Sequence, residues 1–400
     1  MESIYPGLTG NEVISKGDFM SESYFGDLMV IGMRGCEKFI DQVDFYLREW
    51  RRHGDDDATF VTTADCPRFG SGEGKGIIHS SMRGRDVYII CDCFNHGVTY
   101  QMYGQEIPMS PDDHYADLKR TIAAMAGKAK RITLIMPMLY EGRQHKRSAR
   151  ESLDCAIMLQ ELVAMGVSNI ITFDAHDARV SNAIPLTGFD SIRPTYQMLK
   201  ALVRAVPDIS LANDDIMIIS PDEGAMSRTM YYATVLGIDL GMFYKRRDYT
   251  TVVNGKNPIV AHEYLGKDLN GKDAIIIDDM ISSGESIIDV ARQIREKGAK
   301  RIFFFVTFGL FTNGFDVFDK AYEEGLFTKC FTTNLVYHPE GLVDKEWYAE
   351  VNMCKYVAII IDTLNRDQSI STLLNPVKKI HSILDEHQKK VDTQIKIDIE

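Results

Sequence analysis

The chain has 400 residues, 45% of them hydrophobic and 26% charged, with a formal net charge of −12. This composition predicts a soluble globular protein large enough for two domains and excludes a disordered chain. The acidic balance disfavours general binding to nucleic acid, although a local anion site is compatible with it. The amino terminus has no signal-peptide pattern, and no apolar run approaches the ~20 residues of a membrane span, so we expect neither export nor membrane insertion.

The seven cysteines are scattered and include no Cys-x-x-Cys pair. An odd, dispersed set is typical of reduced thiols and favours a cytoplasmic location. Cys91 and Cys93 could bind a metal, but two thiols on one face at the end of a strand more often pack in a core. We therefore propose no zinc site.

From Asp86 onward, predicted strands and helices alternate, which is typical of a parallel, doubly wound sheet. Before that point only Glu37–Arg52 has a clear pattern, the spacing of an amphipathic helix. The predicted strands are Val87–Ile90, Ile132–Pro137 and Asn169–Phe173, and the predicted helices are Asp113–Ala126 and Ser152–Met165.

The same alternation repeats after the polar stretch Ile184–Pro194, which predicts a domain boundary. The second series has predicted helices at Thr195–Val206, Glu223–Leu236 and Ser286–Lys297 and predicted strands at Ile216–Ser220, Leu240–Tyr244, Ala274–Asp278 and Arg301–Thr307. Late strands are predicted at Phe331–Leu335 and Tyr356–Ile361, and an exposed helix or frayed segment beyond Lys378. The fold class is therefore α/β, with two doubly wound parallel-sheet domains at 1–190 and 191–355 and a return segment and tail at 356–400.

The segment Asp273–Ser286 (DAIIIDDMISSGES) ends an apolar run in two acids and then opens a helix through small residues. The run Ala274–Ile277 predicts a buried parallel strand. At the junction, Ser282–Ser286 can offer backbone N–H groups and hydroxyls to an anion, helped by the helix dipole. Asp278 and Asp279 suit ribose hydroxyls or a magnesium-bound ligand at a strand's carboxyl end. The alternative is a capped helix with two solvated aspartates.

Two other predicted strands also end in polar side chains. Asp174 and His176 follow one strand, where the imidazole could orient a ligand or join a magnesium site, although magnesium usually prefers oxygen. A loop histidine with satisfied hydrogen bonds is the alternative. Asp222 follows another strand, where it could hold a metal or simply cap the next helix.

Two basic segments follow strands as well. Lys245, Arg246 and Arg247 precede Tyr249–Val260, which has few helix signals and predicts a mobile loop rooted in cations. If this loop closed over a polyphosphate, it would bring Lys245 and Arg247 to the phosphoryl group being transferred. The alternative is that the three cations form a solvent-exposed charged face. Met136–Arg150 follows a strand and is a candidate nucleotide-phosphate surface, because it contains Gly142 and five basic residues, Arg143, His145, Lys146, Arg147 and Arg150. The chain has neither a P-loop nor a dinucleotide glycine motif after a strand, so ATP, if used, is held in another way.

Together these motifs resemble those of the ribose-phosphate pyrophosphokinases, or phosphoribosyl pyrophosphate synthetases. The resemblance extends from about Arg68 to about Leu374 and is far more specific than any single motif. It rests on Asp174-Ala175-His176, Ser220-Pro221-Asp222, Lys245-Arg246-Arg247, Arg143-Gln144 and Phe69–Glu73.

The resemblance implies transfer of the β,γ-pyrophosphoryl group of MgATP to the C1 hydroxyl of ribose 5-phosphate, giving phosphoribosyl pyrophosphate and AMP for nucleotide biosynthesis. It implies Lys245 and Arg247 as catalytic residues and Mg²⁺ as cofactor, held by His176 and Asp222. Residues implied in binding are Arg143, Gln144, Phe69 and Glu73 for ATP, and Asp278, Asp279, Ser282, Ser283, Gly284 and Ser286 for ribose 5-phosphate. The family also implies a homo-oligomer, a dimer or hexamer, in which Phe69 and Glu73 act across a subunit interface.

The chain departs from the family pattern at four positions. Ser282 replaces a common acid in the phosphate loop, and Glu285 puts a carboxylate beside the phosphate. His145 and Ser71 replace aspartates in the two ATP segments. The altered phosphate loop leaves open a catalytically silent regulatory homologue. A phosphoribosyltransferase, which shares the fold but consumes the product, is the other alternative, and Lys245 argues against both.

Overall fold

The structure, a computed structural model, describes residues 24–51, 59–247 and 259–399, without the side chains of 245–247, 259–262 and 390–399. These residues form two compact units. The first unit extends to Pro194 and also includes Asn334–Tyr337 and Asn352–Asn375, and the second contains the remaining residues. The domain limits 1–190, 191–355 and 356–400 stay a prediction.

The first unit is built on a parallel sheet. Its elements up to Pro194 are β1 (Asp27–Gly32), α1 (Glu37–Arg51), β2 (Val61–Thr62), β3 (Ala64–Asp65), β4 (Ile77–Ile78), β5 (Arg85–Ile90), β6 (Thr99–Met102), β7 (Gln105–Pro108), α2 (Pro111–Ala124), β8 (Arg131–Ile135), α3 (Asp154–Ala164), β9 (Asn169–Phe173), a 3-10 helix (Ala178–Ala183) and β10 (Gly188–Ile192). Six strands pair in the order β10-β9-β8-β5-β1-β2, all parallel. Every residue of β5 after Arg85 is buried, as expected for a strand covered on both faces.

The second unit has a seven-stranded sheet in which one edge strand is antiparallel. Its elements, with those of the return segment, are α4 (Thr195–Ala205), β11 (Ile216–Ser220), α5 (Met226–Leu236), β12 (Leu240–Arg247), β13 (Ile259–Leu265), β14 (Asp273–Ile281), α6 (Glu285–Glu296), β15 (Ile302–Gly309), α7 (Asp316–Glu323), β16 (Lys329–Thr333), β17 (Tyr348–Val351), α8 (Cys354–Asn365), α9 (Ser371–Leu374) and α10 (Val377–Ile399). The order is β13-β12-β11-β14-β15-β16-β17, with β13 antiparallel to β12. The predicted α/β class with parallel sheets is confirmed.

The prediction of a strand at Tyr356–Ile361 is wrong, because these residues lie in α8. A short apolar run does not by itself distinguish a strand from a buried helix. In α8 the positions Cys354, Val357, Ala358 and Ile361 are buried, which is the i, i+3, i+4, i+7 spacing of one helical face.

Three further elements differ from expectation. The stretch Ile184–Pro194 was predicted as a polar connection, but it contains the edge strand β10. The start of the chain, which has a weak sequence pattern, contains β1, and this strand lies between β5 and β2 in the sheet. The tail was predicted to be an exposed helix or a frayed segment. It is a helix, but it is not wholly exposed. Ile380 is fully buried, and His387 Nε2 lies 2.8 Å from the Ile209 carbonyl oxygen.

Candidate active site

Asp278 and Asp279 lie in β14 beyond the end of a neighbouring strand. The pairing of β14 with β11 ends at Ile276, whereas its pairing with β15 continues to Ile281. The strand thus begins one residue before and ends three residues after the predicted Ala274–Asp278. On the β11 side, however, both acids lie past the paired residues, at the carboxyl edge where open α/β sheets bind ligands.

A buried arginine on α5 contacts both acids. Arg228 Nη2 lies 3.3 Å from Asp279 Oδ2, and Arg228 Nη1 lies 3.7 Å from Asp278 Oδ1. Burial, together with the charge of Asp279, raises the pKa of Asp278 well above its usual range, and Arg228 opposes this rise. The arginine therefore offsets part of the cost of placing two carboxylates side by side.

Sequence reasoning missed Arg228, although a signal for it existed. The apolar residues Ala225, Tyr232 and Val235 lie three residues before and four and seven residues after it, and all three are buried. This spacing assigns Arg228 to the inward face of α5, where a cation requires a partner.

The loop between β14 and α6 is shaped by a glycine. Gly284 has φ +88°, and a Cβ atom at this position would lie 2.3 Å from the Phe318 ring, so a larger residue would meet both strain and a clash. The first N–H groups of α6 have no intrahelical acceptor and can bind an anion. Ser282, Glu285 and Ser286 are exposed along this loop.

Asp222 forms a turn at the end of β11. Its Oδ1 accepts a hydrogen bond from the Ala225 N–H at 3.1 Å, and its carbonyl accepts one from Ser220 Oγ at 2.7 Å. The predicted alternative, that Asp222 caps the next helix, is wrong, because the N-cap residue of α5 is Ala225 and has no side-chain capping hydrogen bond. A carboxylate has two oxygens and several acceptor positions, so the turn does not prevent Asp222 from binding a second partner.

Lys245 and Arg247 lie in β12, where the register with β13 shifts between Arg246 and Arg247. The side chains of all three cations lie outside the described residues, as do 248–258, most of the predicted loop Tyr249–Val260. The catalytic role of Lys245 and Arg247 stays a prediction.

In the first unit, β9 ends in a strained turn. Asp174 is buried with φ +39°, and its N–H donates to the Ile192 carbonyl at 2.9 Å. A non-glycine residue in the left-handed region at the carboxyl end of a strand is a feature often found at functional sites. His176, two residues on, is exposed.

The structure brings His145 of the ATP segment next to His176. The two imidazole centroids are 5.3 Å apart, and His145 Nε2 lies 3.5 Å from Asp177 Oδ2. Hydrogen bonds from Arg179 hold the pKa of Asp177 at about 2. His145 Nδ1 is buried without a hydrogen-bond partner. The position that departs from the family pattern therefore lies directly beside the predicted metal ligand His176.

The two predicted ATP-binding segments are both compact turns. Gln144 Nε2 donates to the Ser152 carbonyl at 2.9 Å, which braces its segment, while Arg143 is exposed. In the other segment, the Phe69 N–H donates to the Glu73 carbonyl at 2.7 Å. Ser71 Oγ also donates to Glu73 Oε2 at 2.9 Å, so the serine that replaces an aspartate orients the neighbouring acid.

Within the described part of the chain, no three His, Cys, Asp or Glu side chains gather into a metal cluster. Mg²⁺ keeps several waters and is commonly held by one or two carboxylates together with substrate phosphates, so the carboxylate of Asp222 is a donor of the kind that Mg²⁺ uses. No helix among the described residues is long and apolar enough for a membrane span.

A parallel sheet that ends in paired acids, followed by a small-residue loop at a helix amino terminus, defines the second unit as a phosphoribosyltransferase-type domain. A family model of the phosphoribosyl transferase domain matches residues 189–325, and one of the N-terminal domain of ribose phosphate pyrophosphokinase matches residues 28–166. The chain belongs to the ribose-phosphate pyrophosphokinase family, and it is an enzyme of that family.

Individual relatives support this assignment. A ribose-phosphate pyrophosphokinase of Parasynechococcus marenigrum is 30% identical over 275 residues, covering 68% of this chain and 74% of the relative. One from Vibrio cholerae is 26% identical over 328 residues, covering 80% and 94%. The crystal structure of phosphoribosylpyrophosphate synthetase from Mycobacterium smegmatis superposes with a TM-score of 0.68 at 22% identity, covering 85% of this chain and 99% of that chain, and thereby shows the shared fold.

Proposed function

We propose that the protein transfers the β,γ-pyrophosphoryl group of ATP to the C1 hydroxyl of ribose 5-phosphate, forming phosphoribosyl pyrophosphate and AMP. The observation that carries this proposal is the continuous run from Asp278 and Asp279 to the helix α6, in which paired acids precede an anion-binding loop whose Gly284 admits no side chain. Membership of the pyrophosphokinase family supports the choice of reaction.

In the second unit, the loop Ser282–Ser286 would bind the 5-phosphate through its hydroxyls and the N–H groups of the first turn of α6. Asp278 and Asp279 would accept hydrogen bonds from the ribose hydroxyls. Arg228 holds the two carboxylates in place through its buried guanidinium. Lys245 and Arg247 would stabilise the charge that develops on the transferred phosphoryl groups.

In the first unit, Arg143 and Gln144 would bind ATP, and Phe69 and Glu73 would reach the ATP of a neighbouring subunit. The predicted ligands of Mg²⁺ are His176 in the first unit and, separately, Asp222 in the second unit. Mg²⁺, when bound, would supply positive charge against the triphosphate. We further propose a homo-oligomer, dimer or hexamer, and a cytoplasmic location.

The test is to incubate the purified chain with MgATP and ribose 5-phosphate and to measure AMP and phosphoribosyl pyrophosphate. Equal amounts of both products support the proposal. Absence of AMP across a range of magnesium and phosphate concentrations would contradict the proposal and favour a catalytically silent homologue. The structural argument for such a homologue is the carboxylate of Glu285 in the phosphate loop. Consumption of phosphoribosyl pyrophosphate with a free base would instead indicate a phosphoribosyltransferase.

A further inference from the structure

A strained tyrosine lies at the tip of the β6–β7 hairpin. Met102 pairs with Gln105, so the connection consists of only Tyr103 and Gly104, with φ +50° and +75°. Positive φ at both positions is the pattern of a type I′ turn, which favours Asn-Gly or Asp-Gly. A tyrosine at the first position is strained, and its side chain is 79% exposed, so core packing does not explain its presence.

The turn is attached to the Phe69–Glu73 loop. The Tyr103 N–H donates to the Gly70 carbonyl at 2.9 Å. At Gly72, with φ +94°, an added Cβ would lie 2.6 Å from Met102 Sδ, so the hairpin packs directly on the loop. Tyr103 and Phe69 therefore extend from hydrogen-bonded neighbouring segments, and the Phe69 side chain is also exposed, by 57%.

The base of the hairpin is tied to the same loop through Arg68, the residue before Phe69. The Arg68 guanidinium lies 4.9 Å from the centre of the Tyr100 ring on β6, and Arg68 Nη1 lies 2.9 Å from Asp117 Oδ1 on α2. The hairpin and the loop are thus held together at two points, which limits how far Tyr103 can move relative to Phe69.

We infer that Tyr103 is a nucleotide-binding residue that, with Phe69, contacts the purine base of the substrate triphosphate. This inference rests on the proposed function, which assigns the Phe69–Glu73 loop to ATP. Two exposed aromatic rings on joined segments provide stacking surface, and the base is the part of the nucleotide that stacks on aromatic side chains. The strain at Tyr103 is then the local cost of presenting this ring.

The test compares Tyr103→Asn with Tyr103→Phe. Asparagine suits the first position of the turn, so Tyr103→Asn should fold at least as stably as the wild type, while its KM for ATP and its dissociation constant for a non-hydrolysable ATP analogue rise about tenfold. The turnover number and the binding of inorganic triphosphate, which has no base, should stay unchanged. Tyr103→Phe keeps the ring and should bind the analogue like the wild type.

Unchanged analogue affinity in Tyr103→Asn would overturn the inference. Equal weakening of analogue and inorganic triphosphate would also overturn it, because the substitution would then have displaced the loop. Calorimetric binding of the analogue does not require turnover. A wild-type protein that binds the analogue but forms no AMP would therefore refute the proposed function while leaving the comparison at Tyr103 valid. No binding by the wild type would refute both.

Discussion

Replacing Arg228 with methionine should destabilise the second unit by leaving two adjacent acids without their cation. At an effective dielectric constant of ~20, the attraction is about 5 kcal/mol at the 3.3 Å distance to Asp279 and about 4.5 kcal/mol at the 3.7 Å distance to Asp278. The cost of burying the guanidinium offsets much of this attraction. We therefore expect a loss of about 3 kcal/mol in the free energy of unfolding near pH 8.

The loss should depend on pH in a defined direction. The pKa of Asp278 is higher in the folded protein than in an unfolded chain, so its contribution to stability is fully present below the ordinary aspartate pKa and is lost as the pH rises through the folded pKa. Removing Arg228 raises this folded pKa further. The difference between wild type and Arg228→Met should therefore be largest near pH 8 and shrink toward about pH 5.

Thermal unfolding of the full chain at these two pH values measures the effect. A loss of ~3 kcal/mol corresponds to a Tm lower by about 6–12 °C for a unit of this size. Arg292→Met is the matched control, because Arg292 forms an exposed ion pair with Glu324 at 3.4 Å, and such pairs contribute about 0–1 kcal/mol. An unchanged Tm for Arg228→Met at pH 8, or an equal loss at both pH values, would refute the reasoning.

Three other substitutions test the phosphate loop and the catalytic cation. Gly284→Ala should raise the KM for ribose 5-phosphate more than tenfold and lower the Tm, because its Cβ would lie 2.3 Å from the Phe318 ring; steady-state kinetics and thermal unfolding measure both. Glu285→Gln should lower the KM for ribose 5-phosphate by a factor of about 2–5, because one carboxylate leaves the first turn of α6. Lys245→Ala should lose most turnover and keep nucleotide binding, measured by AMP release and calorimetry.

Each of these predictions has a control or a contradicting result. Gly271 shares a left-handed backbone, φ +76°, but has no atom within 4 Å of an added Cβ, so Gly271→Ala separates backbone strain from the clash at Gly284. Glu296, at the other end of α6, is the control for Glu285, and a similar KM change in Glu296→Gln would show that the effect is not local. A Lys245→Ala variant that turns over at the wild-type rate would remove this residue from the catalytic role.

Local patterns in the chain were sufficient for most helices and strands of both sheets. Apolar periodicity depends only on neighbouring residues, so β9 and β11 were predicted with the same limits that the structure gives them. The same method failed at Tyr356–Ile361, where a short apolar run fits a strand and a buried helix equally well. It also missed β10, whose residues Gly188–Ile192 are mostly only half-buried at a sheet edge.

The position of α8 shows why some features lie beyond any local pattern. Asn365, at the end of α8, donates to Asp86 Oδ2 at 2.8 Å, and Arg131 Nη2 lies 2.6 Å from the same oxygen. Asn365 and Asp86 are 279 residues apart in the chain. This buried network joins α8 to β5 and β8 within the first unit, and no periodicity in any of these segments indicates it.

The sequence by itself determined the succession of most helices and strands along the chain, the polar groups at the carboxyl ends of the strands and the small-residue loop before α6, because each depends on residues adjacent in the chain. Only the tertiary structure decided which residues meet: Arg228 with the acids of β14, His145 with His176, and the backbone of Tyr103 with the loop of Phe69. These pairs come from different segments. Their contacts depend on sheet order and strand register, which burial of both sheet faces establishes across the whole chain.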